Sequence, residues 1–142
     1  MARDILSFMI RNRYLWPMMT MLVAVAFFNW IGGLGHYYYT TNWYDWPMHF
    51  MGGVFVALFL LWIREMKIPI AVAFNRFFTP RNLIIAVFCV GIVWEIFELS
   101  FGITDFHDKG YIWDTTHDLL NDFLGACLVA YLTRRSLSKK TQ

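Results

Sequence analysis

The chain has 142 residues, of which 58% are hydrophobic and only 15% charged. Soluble globular proteins average roughly 45–50% apolar and about 25% charged residues, so a water-soluble domain and a nucleic-acid-binding surface are both excluded. The length suits one domain, 1–142, embedded in a membrane; the net charge of +2 says little, and the placement of the charges says more.

Arg3, Arg11 and Arg13 precede an apolar run over 14–34. A bilayer core takes about 20 helical residues, so this run predicts a first membrane span. Pro17 falls near the helix start, where proline is tolerated. Ala24-Val25-Ala26 resembles a signal-peptide cleavage site, but the apolar run continues through Phe27, Phe28, Trp30 and Ile31, so the segment reads as an anchor. The stretch from His36 to Tyr44 is rich in tyrosine and tryptophan, as membrane–water boundaries are. A second span is predicted over 46–63 and is stopped by Arg64, Glu65 and Lys67.

Residues 68–79, with Arg76, Phe77 and Phe78, read as an interfacial turn of helix. Thr79-Pro80 is a helix N-cap followed by a first-position proline, and it opens a third span over 82–101. A polar loop over 102–113 leads to a fourth span over 115–133, closed by Arg134, Arg135, Lys139 and Lys140. Cys89 and Cys127 lie inside apolar runs, away from the polar stripes, and read as buried, unpaired thiols.

Eleven of the 12 Lys and Arg residues lie in the N-terminus, the second-to-third connector and the C-terminus, and Lys109 alone lies on the opposite side. The positive-inside rule then places both termini in the cytoplasm. The expected fold is an all-α, four-helix transmembrane bundle, multi-pass in a cell (inner) membrane.

Six of the 10 acidic residues fall at one depth, the outer third of the bilayer. Helix two begins with Asp45 and His49, helix three ends with Glu95 and Glu98, and helix four begins with Asp114, His117, Asp118, Asn121 and Asp122. Asp114, His117, Asp118, Asn121, Asp122 and Gly125 share an arc of roughly 140° on a helix. Asp45/His49 and Asp114/Asp118/Asp122 are spaced i,i+4, and Glu95/Glu98 i,i+3, so each set lines one face. Gly52, Gly53, Gly91 and Gly125 on the same stripes allow close helix approach.

A charge at the centre of a span costs about 2.5–3.5 kcal/mol on insertion scales. Converging carboxylates must therefore be protonated, paired, hydrated or bound to a cation. Simpler readings exist: Asp45 and Asp114 as N-caps, His49 as a boundary histidine, Asn121 as a packing amide, and His36, Asp105, His107 and Asp108 as solvated loop residues. Glu95 and Glu98 resist such readings, because an anion at a helix C-terminus opposes the helix dipole.

These residues carry a resemblance. Asp45 with His49-Phe50, Trp94-Glu95-Ile96-Phe97-Glu98, and Trp113-Asp114 with Asp118 and Gly125-Ala126 resemble the pattern of the YjdF-like inner-membrane family. His117 stands where that family has a glutamine. The chain is more distantly similar to the VanZ-like proteins associated with glycopeptide resistance, through a His-Phe, an inward Glu and Asp/Asn-x-x-Gly elements. The resemblance implies a membrane unit with a polar intramembrane site rather than a particular reaction.

The expected chemistry is that of a divalent-metal centre (Zn, Mn, Fe or Mg) drawn from Asp45, His49, Glu95, Glu98, Asp114, His117, Asp118 and Asp122. Glu95 and Asp122 are the candidates for a catalytic carboxylate. Such a centre would serve a membrane enzyme, a hydrolase or related lipid-modifying enzyme, on a lipid or lipid-linked substrate. The alternatives are a scaffold whose polar network fixes helix register and a proton or cation relay. No continuous line of ionisable residues crosses the helices, which weighs against the relay. Membrane lipids are the expected partners, and four short helices are compatible with a homo-oligomer.

Overall fold

A computed structural model describes residues 12–41, 43–66 and 78–138. The described residues form five helices and no strand: α1 (Leu15–Leu34), the single-turn α2 (Tyr37–Thr40), α3 (Asp45–Glu65), α4 (Pro80–Ser100) and α5 (Tyr111–Ser138). The basic residues Arg3, Arg11, Lys67, Arg76, Lys139 and Lys140, and residues 68–77 of the interfacial turn expected over 68–79, lie outside the described residues.

Three helices, α1, α3 and α4, are long and apolar enough to cross a membrane. At 1.5 Å per residue each is about 30 Å long, the thickness of a bilayer core. They match the expected spans to within two residues at each end. The fourth expected span, 115–133, lies inside α5, which starts four residues earlier and ends five later. α5 is not one of the three apolar helices, because Asp114, Asp118 and Asp122 enter its first half and Arg134 and Arg135 its last turns.

The caps of α4 follow from local chemistry. Thr79 Oγ1 accepts from the Asn82 amide at 3.2 Å and Pro80 takes the first helical position. At the other end Gly102 adopts φ of 66°. The Ile103 amide then donates to Glu98 O at 2.9 Å and the Gly102 amide to Leu99 O at 3.3 Å, a Schellman motif. Asp45 and Asp114 are not N-caps: Asp45 is already the first residue of α3, and α5 begins at Tyr111, ahead of Asp114.

α5 lies against both α3 and α4, and α1 packs on α3. Two glycines set the closest approach. A Cβ on Gly53 of α3 would strike the Asp122 backbone, and one on Gly125 of α5 would strike Phe50 O and the Val54 amide. The two backbones therefore touch, which holds α3 and α5 parallel and in register. The half of the bundle toward the end of α3 is filled by Ala57, Leu61, Leu83, Val87, Ala126, Val129 and Ala130, all buried. Arg13 pairs with Glu65 at 3.2 Å at that same end, so α1 runs antiparallel to α3.

Both cysteines are free, but the expectation that both are buried is corrected. Cys89 is exposed on the outer face of α4 and Cys127 is half-buried. Cys89 shares that exposed outer surface with Ile85, Phe88 and Ile92.

Candidate metal centre

Parallel packing of α3 and α5 stacks two i,i+4 pairs against each other, Asp45/His49 and Asp118/Asp122. His49 sits between them, 7% exposed. Its Nε2 stands 3.8 Å from Asp45 Oδ2 and 3.9 Å from Asp118 Oδ1. On the other side of the ring, Nδ1 stands 3.5 Å from Asp122 Oδ2. One ligand atom each from Asp45, His49 and Asp118 lies within 4.8 Å of the others.

The Nε2 separations are too long for hydrogen bonds and suit atoms flanking an ion. Ligand atoms bonded to one divalent cation stand about 3–5 Å apart, depending on the ion and on the angle between them. Asp118 is 2% exposed, and its Oδ1 has no hydrogen-bond partner. With the ring proton on Nδ1 facing Asp122, the Nε2 lone pair faces Asp45 and Asp118. That is the orientation in which a carboxylate behind a histidine prepares it to ligate.

α4 closes the third side. A Cβ at Gly91 would lie 2.5 Å from Asp122 Oδ2, so a larger residue there would displace the Asp122 carboxylate. One turn onward Glu95 is 5% exposed with an unpartnered Oε1, and Thr115 of α5 lies near its carboxylate. Glu95 lies within electrostatic range of His49, Asp122 and Asp45.

The remaining expected residues form the rim rather than the centre. Glu98 is half-buried and accepts from Trp94 Nε1 at 2.9 Å. The His117 ring stacks on Trp46 at 4.8 Å and lies 4.2 Å from the Trp113 ring, with Nδ1 2.8 Å from Trp113 O. Asp114 is half-buried, one turn before Asp118. Asn121 donates to His117 O at 2.7 Å, as a packing amide would.

Outside the helices, Asp105 accepts from the His107 amide and contacts its ring, which holds the exposed carboxyl below its usual range. His36 and Asp108 are exposed, in keeping with solvated loop residues. Burial, with Asp45 nearby, pushes the Tyr38 phenol up to about 12. Tyr38 is therefore neutral near pH 7, and it donates to Asn29 at 2.8 Å.

Two contributors escaped sequence reasoning. Thr115 shares the stripe of Asp118 at i−3, a legible signal. The Trp46–His117 stack joins residues 71 positions apart and leaves no local trace.

No curated protein and no solved structure matches the chain. A family described as "Predicted membrane protein (DUF2238)" matches residues 4–139, which include every residue of the centre and its rim. The YjdF-like resemblance is of this family's kind. A chain matched almost end to end, with three helices able to cross a membrane, belongs to the DUF2238 family of predicted membrane proteins.

Proposed function

We propose that this membrane protein binds a divalent cation between Asp45, His49 and Asp118 and uses it to hydrolyse a lipid or lipid-linked substrate. One observation carries the reading: Asp118 Oδ1 is fully buried without a hydrogen-bond partner, 3.9 Å from an imidazole nitrogen that Asp45 approaches from 3.8 Å. A buried carboxylate oxygen left bare is costly, and a cation at that point removes the cost. Two carboxylates and one imidazole suit Zn, Mn, Fe or Mg. Asp122 acts through His49 as a positioning residue.

Asp45 is the way in, since its side chain keeps 28% exposure at the end of the bundle. A bound cation would polarise the ester or phosphoester and lower the pKa of its water. An attacking water would bond to the carbon or phosphorus as the bond from that atom to the alcohol oxygen breaks, and a spare carboxylate would take the water's proton and give it to the departing alcohol. α5 acts as the fourth span. Arg13, Arg64, Arg81, Arg134 and Arg135, at the far ends of the helices, favour a cytoplasmic location for both termini. The centre then faces the outer side of an inner membrane. The VanZ-like relationship belongs to this proposal as well, resting on His49-Phe50 and the inward Glu95.

A relay is disfavoured by the apolar plug of Ala57, Leu61, Leu83 and Val87 beyond the centre. The competing scaffold reading treats His49 as a protonated register pin. Elemental analysis of protein purified without chelator separates the two. About one equivalent of divalent metal per chain supports the centre, and its absence from wild type leaves the scaffold.

A further inference from the structure

The rim of the centre has its own charge pattern, which the metal does not use. Glu98 lies in the last turn of α4 and Asp114 in the first turn of α5, at the end of the bundle where α3 begins with Asp45, and all three are half-buried. Beneath them Glu95 Oε1 is buried and unpartnered, on the same face of α4 as Glu98. In the sequence between residues 36 and 63, and between 82 and 121, Lys109 is the single Lys or Arg, and it is exposed in the α4–α5 loop. Once a cation occupies Asp45, His49 and Asp118, three carboxylates remain around the mouth with no Lys or Arg paired to them among the described residues.

Such a mouth repels an anionic headgroup and attracts a cationic one. At a membrane surface, organic cations are carried on zwitterionic phospholipids, a few bonds from a phosphate that a metal ion can bind. Carboxylates further discriminate between amines: a primary ammonium offers three N–H donors, and a quaternary ammonium offers none. Trp94 Nε1 donates to one oxygen of Glu98 at 2.9 Å and holds it in place.

Resting on the cation centre above, we propose that Glu95, Glu98 and Asp114 receive the primary ammonium of an ethanolamine phospholipid headgroup whose phosphate faces the metal. The substrate class is then an aminophospholipid or a lipid-linked group carrying the same phosphoethanolamine.

The test uses the purified full chain in detergent, loaded with metal. Short-chain dihexanoyl phosphatidylethanolamine, phosphatidylcholine and phosphatidylglycerol are titrated by calorimetry. The ethanolamine lipid is expected to bind at least about tenfold tighter than the other two. Glu98→Gln with Asp114→Asn abolishes that preference, while metal content by elemental analysis is unchanged. Equal or tighter binding of the choline or glycerol lipid overturns the proposal, and so does a preference that survives in the double variant. If the double variant fails to fold, the two single substitutions replace it, and a preference untouched by both counts against the subsite. Metal-free protein that still prefers the ethanolamine lipid removes the cation centre but leaves the ammonium subsite standing. Bound metal without lipid preference does the reverse.

Discussion

His49 Nδ1 on α3 faces Asp122 Oδ2 on α5 at 3.5 Å, across 73 positions of sequence. That contact turns the ring so that Nε2 looks toward Asp45 and Asp118. Carboxylates behind a metal-binding histidine are worth 10–100-fold in affinity. Asp122→Ala is therefore expected to weaken divalent-metal binding by roughly that factor, without removing a ligand. Competition with a chromophoric chelator measures it. An unchanged affinity would make Asp122 a packing residue.

Asp118→Asn tests the ligand itself. A cation bound only to the folded state stabilises it by about 2.7 kcal/mol at a hundredfold excess over Kd. Chelator should lower the melting temperature of wild type and leave Asp118→Asn unmoved. In chelator the variant should melt no lower than wild type, because a bare anion is no longer buried. A wild type that ignores chelator, beside a variant that melts no lower, would end the metal reading and favour the register-fixing network.

The α3–α5 contact gives a stability prediction independent of metal. Gly125→Val forces a side chain into Phe50 O and the Val54 amide, both backbone atoms that cannot swing aside. Overpacking of this kind costs typically about 1–3 kcal/mol, and the melting temperature should fall by the same number of degrees with and without chelator. A wild-type melting temperature for Gly125→Val would mean that the helices do not approach this closely.

Sidedness is tested by cysteine labelling. With Cys89 and Cys127 replaced by alanine, Thr41→Cys and Lys109→Cys should react with an impermeant thiol reagent on intact cells. Arg135→Cys should react only after permeabilisation. The opposite pattern would put the Asp45, His49 and Asp118 group on the cytoplasmic face, and labelling of all three from outside would take α5 out of the membrane.

Much of the architecture was legible along the chain because it is local. Uninterrupted apolar runs predict α1, α3 and α4 to within two residues at each end, since spanning length is set by bilayer thickness. Thr79-Pro80 announces the start of α4 because a cap bonds within its own first turn. Helical periodicity likewise puts Asp45 with His49 and Asp118 with Asp122, four residues apart on shared faces. Periodicity cannot say which faces meet. The choice of Asp45, His49 and Asp118 as a centre, with Glu98, Asp114 and His117 at its rim, depends on the parallel register of α3 and α5. That register comes from the Gly53 and Gly125 backbone contacts, and the position of Glu95 comes from α4 closing over Gly91. Each is a distance between helices, which only the packed chain determines.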